Sequence, residues 1–186
     1  MHTPTNQPIQ LVILDRDGVI NHDSPSYIKS PAEWQPIPGS IEAIAKLNHA
    51  GLSVGIATNQ SGLARGYFDE ATLHAMHDKM EVALGKLQAS IPIIRYCPHL
   101  PNVGCNCRKP QPGMLQDIMQ HTGLSAAQTI MVGDSLKDLQ AAQAAGCQSA
   151  LVRTGNGLET EKRISEHDNT SVHDHLSAFV EWLLSR

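Results

Sequence analysis

Asp15 and Asp17 follow a run of four apolar residues, Leu11 to Leu14, with only Arg16 between them. Alternate residues of an extended chain share a face, so the two carboxylates point the same way. A third acid, Asp134, closes another short apolar run, Ile130 to Val132, and Thr58 closes a third, Ser53 to Thr58. Any one of these residues alone equally suits a helix cap or a solvated turn. Three acids brought to one place repel one another and call for a cation. Mg²⁺ prefers about six oxygen ligands and is commonly held by one or two carboxylates together with a substrate phosphate. The chemistry these residues fit is therefore phosphate chemistry on magnesium.

A second constellation lies downstream. Cys97, His99, Cys105 and Cys107 read C-x-H-x5-C-x-C, three thiols and an imidazole within eleven residues. Four soft or borderline ligands suit tetrahedral zinc with no open position, which makes the site structural. Zinc there would clamp a loop with few apolar residues of its own and fix Arg108 and Lys109 directly after it. Cys147, after Gly146, reads as a small buried hydrophobe.

The elements that must position these residues alternate in period. The strand at Leu11 to Leu14 is followed by a helix beginning near Ile41, with Ser40 as its N-cap and Gly51 beyond its end. The strand Ser53 to Thr58 is followed by a long helix after Asp69, carrying Leu73, Met76, Met80 and Leu84. A third strand, Ile91 to Tyr96, runs into the cysteines, and Met114 to His121 is helical. Ile130 to Val132, the helix Leu136 to Ala145 closed by Gly146, a fifth strand Ser149 to Val152 and a last helix near His175 to Leu184 complete the pattern. A polar stretch rich in Glu, Asn and Ser precedes that helix, and nothing after Gly157 carries a functional signal. Strands alternating with helices predict an α/β fold with a doubly wound parallel sheet, whose ligands bind beyond the carboxyl ends of the strands. Asp15, Asp17, Thr58 and Asp134 should meet in that crevice.

Composition agrees. The 186 residues suit one domain spanning 1–186, and 41% hydrophobic content allows a single large core. Aromatic residues make up only 4%, leaving that core to aliphatic side chains and methionine. No apolar run approaches the roughly 20 residues that span a bilayer, and no basic block tracks a phosphate backbone, so membrane and nucleic-acid partners are not expected. Residues 1–10 lack the basic start and apolar centre of a secretory signal, so a cytoplasmic location is expected.

Four ordered motifs, DRDGV at 15–19, ATNQSG at 57–62, CRKP at 107–110 and VGDSLKD at 132–138, resemble those of the haloacid dehalogenase superfamily of phosphatases. The resemblance covers about residues 9–155. It implies a haloacid dehalogenase-like Rossmannoid in which Asp15 attacks phosphorus to form an aspartyl-phosphate. Asp17 would protonate the leaving oxygen, from a carboxyl kept protonated by its acidic neighbours, and later deprotonate water. Thr58 and Lys109 would hold the equatorial phosphoryl oxygens. Asp15, the backbone carbonyl of Asp17 and Asp134 would hold Mg²⁺, with Asp138 orienting Asp134 or Lys109. Arg16, Asp23, Tyr27, Asn59, Gln60, Ser61 and Arg108 would bind substrate, although Ser24-Pro25-Ser26 changes the loop length around Asp23 and Tyr27 by one residue.

Within the superfamily the pattern is most similar to the phosphatases that remove the C7 phosphate of heptose 1,7-bisphosphate. The product would be heptose 1-phosphate, for nucleotide activation and lipopolysaccharide core synthesis. The related histidinol-phosphate phosphatases are the alternative. No acidic residue for the histidinol amine is identifiable outside the catalytic set. The segments after Asp17 and after Thr58 are too short for a large cap domain, and only five residues separate His99 from Cys105. The resemblance implies a small-molecule sugar bisphosphate as the partner, and a monomer is expected.

Overall fold

The first strand, β1 (Leu11–Leu14), is buried along its whole length and pairs in parallel with a strand on each side, β2 (Ser53–Asn59) and β4 (Thr129–Gly133). A strand covered on both faces needs a continuous apolar run, which is why LVIL shows no alternation. In the computed structural model, which describes residues 7–164 and 170–186, the sheet extends outward from this centre. On one side β2 pairs with β3 (Ile93–Cys97), and on the other β4 pairs with β5 (Gln148–Val152) and β5 with β6 (Thr170–His173). The order is β3-β2-β1-β4-β5-β6, all parallel, with the direction of winding reversing beside β1.

Six helices connect or flank the described strands: α1 (Ser40–His49), α2 (Glu70–Gly85), α3 (Gly113–Thr122), α4 (Leu136–Ala145), α5 (Gly157–Glu161) and α6 (Leu176–Leu184). Val12 and Leu14 face one apolar cluster, shared with Ile44 and Leu47 of α1, Leu73 and Met80 of α2 and Phe179 of α6. Leu11 and Ile13 face the other, shared with Leu115 and Ile118 of α3 and Ala141 and Ala142 of α4. The period of two in β1 thus divides the core into two layers. No helix among the described residues is long and apolar enough to cross a membrane.

Most expected elements fall within about a residue or two of where the residues placed them. The third strand begins two residues later than Ile91, because Ile91 and Pro92 approach the sheet as irregular chain. Ser40 does not cap α1. Gly39 occupies that position with a left-handed φ of 82°, and the Ser40 hydroxyl donates instead to the carbonyl of Ile20 at 2.6 Å, tying the helix to the loop after β1. The tail after Gly157 contributes the short helix α5 and a sixth strand, β6. Its sequence, TSVH, is half-buried and polar, so an edge strand there has no hydrophobic signature. Residues 1–6 of the N-terminal stretch and 165–169 of the polar stretch lie outside the described residues.

Asp69 caps α2 as expected, its carboxylate accepting from the Thr72 N–H at 2.8 Å. Gly146 ends α4 with φ 75°.

Candidate active site

The carboxyl ends of β1, β2 and β4 open into a crevice of about 660 Å³. Asp15, Asp17, Thr58, Lys109 and Asp134 all line it, as do Asp23, Tyr27, Asn59, Gln60, Ser61 and Arg108. The parallel sheet brings together residues up to about 120 positions apart because consecutive strands all end on one side.

Lys109 is only 2% exposed, and its ammonium lies 3.0 Å from Asp15 Oδ1 and 2.6 Å from Asp138 Oδ1. Burial alone would lower its pKa, but the two carboxylates outweigh that and hold it above the ordinary lysine value. Asp15 Oδ1 also accepts from the Arg16 N–H at 2.7 Å, so the oxygen is pinned by two donors. Asp15 Oδ2 has no hydrogen bond among the described residues. Asp138 is fully buried, and its other oxygen accepts from the N–H and hydroxyl of Ser135 at 3.0 and 2.7 Å, in the first turn of α4. Asp138 therefore orients Lys109, one of the two roles expected of it.

Carboxylate oxygens of Asp15, Asp134 and Asp138 come within 4.8 Å of one another. Desolvation by burial, with Asp138 and Asp134 close by, raises the Asp15 pKa well above the usual carboxylate value despite Lys109. Burial and the Asp138 charge push Asp134 up to about 6. Three acids thus share one ammonium, an excess of negative charge that a hard divalent cation would offset. Asp134 Oδ2 is aimed by the backbone and side-chain N–H groups of Asn156 at 2.7 and 3.1 Å. It passes between Gly18 and Gly155, where a Cβ on either would collide with it. Asn156 was not among the expected site residues. It sits in the turn after β5, a strand end that the same convergence rule reaches.

Asp17 departs from expectation. Burial would raise its pKa, as a crowded acidic site was expected to, but the net shift is downward. The Arg16 guanidinium grips it with contacts of 2.9 to 3.1 Å, Asn21 Nδ2 donates to Oδ1 at 2.8 Å, and Gln60 Nε2 donates to Oδ2 at 2.8 Å. The Arg16 charge and the five donated bonds favour the ionised form over what desolvation takes away. Arg16 itself, expected to bind substrate, is fully buried and its side chain is not on the crevice wall. The reason is the same fork, which turns the guanidinium back onto its neighbour.

Two further side chains face inward more than outward. Gln60 Nε2 also donates to Thr58 Oγ1 at 2.9 Å, which leaves the threonine hydroxyl hydrogen to donate elsewhere. Asn59 brackets the Lys109 peptide, donating to its carbonyl and accepting from its N–H, both at 3.1 Å. Tyr27 holds a strained φ of 66°, and its ring packs edge-on against Tyr67 with centroids 5.1 Å apart. Asp23 accepts from Asn156 Nδ2 at 3.3 Å. Arg108 donates to the carbonyl of His99 at 3.1 Å, joining the crevice to the cysteine loop.

In that loop the Cys97 Sγ lies 3.5 Å from His99 Nδ1 and 3.7 Å from Cys105 Sγ, and His99 Nδ1 lies 3.3 Å from Cys107 Sγ. All four ligand atoms fall within 4.8 Å of one another, the spacing of the edges of a tetrahedron with bonds of roughly 2.0 to 2.3 Å. Burial would raise the Cys105 pKa, but N–H groups of Arg108 and Cys107 and the other thiols bring it down to about 6, favouring a thiolate.

Residues 106–179 match a family described as HAD-hydrolase-like. The chain is 52% identical over 176 residues to a D-glycero-β-D-manno-heptose-1,7-bisphosphate 7-phosphatase of Bordetella bronchiseptica, covering 95% of this chain and 98% of that one. It is 38% identical to the enzyme of the same name from Escherichia coli, over 82% and 84% of the two chains. A crystal structure of the D,D-heptose 1,7-bisphosphate phosphatase from B. bronchiseptica complexed with magnesium and phosphate superposes with a TM-score of 0.92 at 51% identity, covering 95% and 99%.

Proposed function

The chain belongs to the haloacid dehalogenase-like hydrolases, in the family of the heptose-1,7-bisphosphate 7-phosphatases, and from that premise we propose that it hydrolyses the C7 phosphate of D-glycero-D-manno-heptose 1,7-bisphosphate. The observation that carries the reading is the buried Asp15–Lys109–Asp138 array beside Asp17 and Thr58, in a chain half identical to phosphatases so named. The relatives' names specify the β anomer, which we adopt. They lend the histidinol-phosphate alternative no support. The product, heptose 1-phosphate, suits nucleotide activation for lipopolysaccharide core synthesis.

Asp15 Oδ2 attacks phosphorus in line with the sugar oxygen, forming an aspartyl-phosphate as the bond between phosphorus and the oxygen on C7 breaks. Asp17 gives its proton to the departing oxygen, then takes one from the water that cleaves the acyl phosphate. Ionised at rest, Asp17 acquires its proton when a phosphate dianion arrives beside it and adds the negative charge that raises a carboxyl pKa. Lys109 and the Thr58 hydroxyl balance charge on the equatorial oxygens. Asp15, Asp134 and the backbone carbonyl of Asp17 would hold Mg²⁺, and the oxygen-only donor set suits it. When bound, the ion neutralises charge on the phosphoryl group. Cys97, His99, Cys105 and Cys107 would hold zinc in a structural role. Asp23, Tyr27, Ser61 and Arg108 contact the sugar or its second phosphate, while Asn59 and Gln60 act by holding Lys109, Thr58 and Asp17. We read residues 1–186 as one domain, working as a cytoplasmic monomer.

The direct test measures Mg²⁺-dependent phosphate release from heptose 1,7-bisphosphate and histidinol phosphate side by side, with Asp15→Asn as the blank. Strong preference for the bisphosphate, and loss of at least about a thousandfold in Asp15→Asn, is expected. Preference for histidinol phosphate, or turnover retained in the variant, would overturn the reading.

A further inference from the structure

Arg16 is a fully buried guanidinium that reaches neither solvent nor the crevice. Its fork closes on the side chain of the next residue. Nε and one terminal nitrogen reach Asp17 Oδ1 at 3.1 and 2.9 Å, and that terminal nitrogen also reaches Oδ2 at 3.0 Å. Burying a charge this long is costly unless it is both paired and hydrogen-bonded. The other terminal nitrogen has one partner among the described residues, Nε2 of His77, at 3.4 Å. His77 lies on α2 between the buried Met76 and Met80, is 7% exposed, and accepts there only as a neutral ring. It does not line the crevice.

A two-link chain therefore runs from the middle of α2 to the carboxylate. His77 fixes one end of the guanidinium plane, and the plane fixes the rotation of the Asp17 carboxylate about its last side-chain bond. Asn21 and Gln60 each add one amide bond, to Oδ1 and Oδ2 respectively, but neither supplies the charge or the planar fork of the guanidinium. We infer, on the reading of Asp17 as the general acid, that Arg16 and His77 are positioning residues that fix the orientation of the Asp17 carboxylate toward the leaving oxygen. A proton donor turned away from its acceptor loses rate even when every group is present, since angular errors at the reacting centre are expensive. The loss falls on leaving groups that need the proton.

The test compares kcat/KM on heptose 1,7-bisphosphate, whose alkoxide must be protonated as it leaves, with 4-nitrophenyl phosphate, whose phenolate leaves without help. That ratio covers only the steps through departure of the leaving group, so the later hydrolysis of the aspartyl-phosphate does not enter. His77→Leu removes the acceptor and should lower the ratio about tenfold or more on the sugar phosphate while changing it less than about twofold on the nitrophenyl ester. His77→Gln keeps an acceptor oxygen and should restore the sugar activity. Arg16→Lys keeps the charge without the fork and should repeat the selective loss. Equal losses on both substrates, or no loss in His77→Leu, would overturn the inference. Asp17→Asn is measured alongside. If it too loses both substrates equally, the general-acid reading falls and takes the inference with it. If it is selective while His77→Leu is not, only the inference falls.

Discussion

At the scale of single residues, what separates the acids of the crevice is the partner each one has. Asp17 is paired with Arg16, Asp15 and Asp138 share Lys109, and Asp134 has no ion-pair partner among the described residues. Neighbouring acids were expected to push Asp17 up, and a cation one residue away in sequence reverses the sign. His77 offers a measurable counterpart. Burial, then the Arg16 and His74 charges, lower its pKa to about 4, against 6.5 for an ordinary histidine. Between those two values the unfolded chain binds a proton that the folded one refuses. Stability therefore has no such penalty above pH 6.5 and loses up to about 3 kcal/mol as the pH falls to 4. Urea unfolding of wild type and His77→Gln across that window should show the variant losing less, and parallel curves would refute the assignment.

Among the elements, the cysteine loop is the one that the chain's own apolar residues do least to hold. Leu100 and Val103 within it are exposed. Its order rests on the four ligand side chains and on its seat against α3, where the Gly113 N–H donates to the Asn106 carbonyl at 3.1 Å. A Cβ at Gly113 would collide with that carbonyl. Because Arg108 and Lys109 come directly after Cys107, loosening the loop loosens the ammonium that sits against Asp15. Cys105→Ser should reduce zinc from one per chain toward zero by elemental analysis, lower the melting temperature, and cost activity even at saturating Mg²⁺. Wild-type protein purified without zinc would sink the structural-metal reading.

Over the whole molecule, the reversal of winding beside β1 puts the acids from β1 and β4 next to each other and leaves their repulsion in the folded state. Mg²⁺ that binds only the folded chain should stabilise it by mass action, about 2.7 kcal/mol at a hundred times its dissociation constant. Calorimetry should show the melting temperature of wild type rising with Mg²⁺ and that of Asp134→Ala not responding. An equal rise in both would place the ion elsewhere. The exposed large apolar residues are spread over loops and helices, as with Tyr67, Val82, Leu158 and Leu184, which suits a monomer. Light scattering should therefore return a mass near 20.2 kDa, and twice that value would refute it.

The strand ends, the acids on them and the four metal-type ligands were legible in the sequence because each is a local pattern. A continuous apolar run reads as a buried strand, and the residues just past the end of a parallel strand face the crevice. Three things required the folded chain. Strand β6 carries no hydrophobic pattern and exists by pairing with β5. The grip of Arg16 on Asp17 depends on a buried rotamer that residue types do not encode, and it moved Arg16 from the substrate to the interior. The contact between His77 and Arg16 joins positions 61 residues apart, and nothing in the sequence of α2 separates His77 from the exposed polar residues beside it. Local pattern chose the groups that can do the chemistry, and long-range packing decided which of them touch, because burial and partner distance exist only once the sheet has formed.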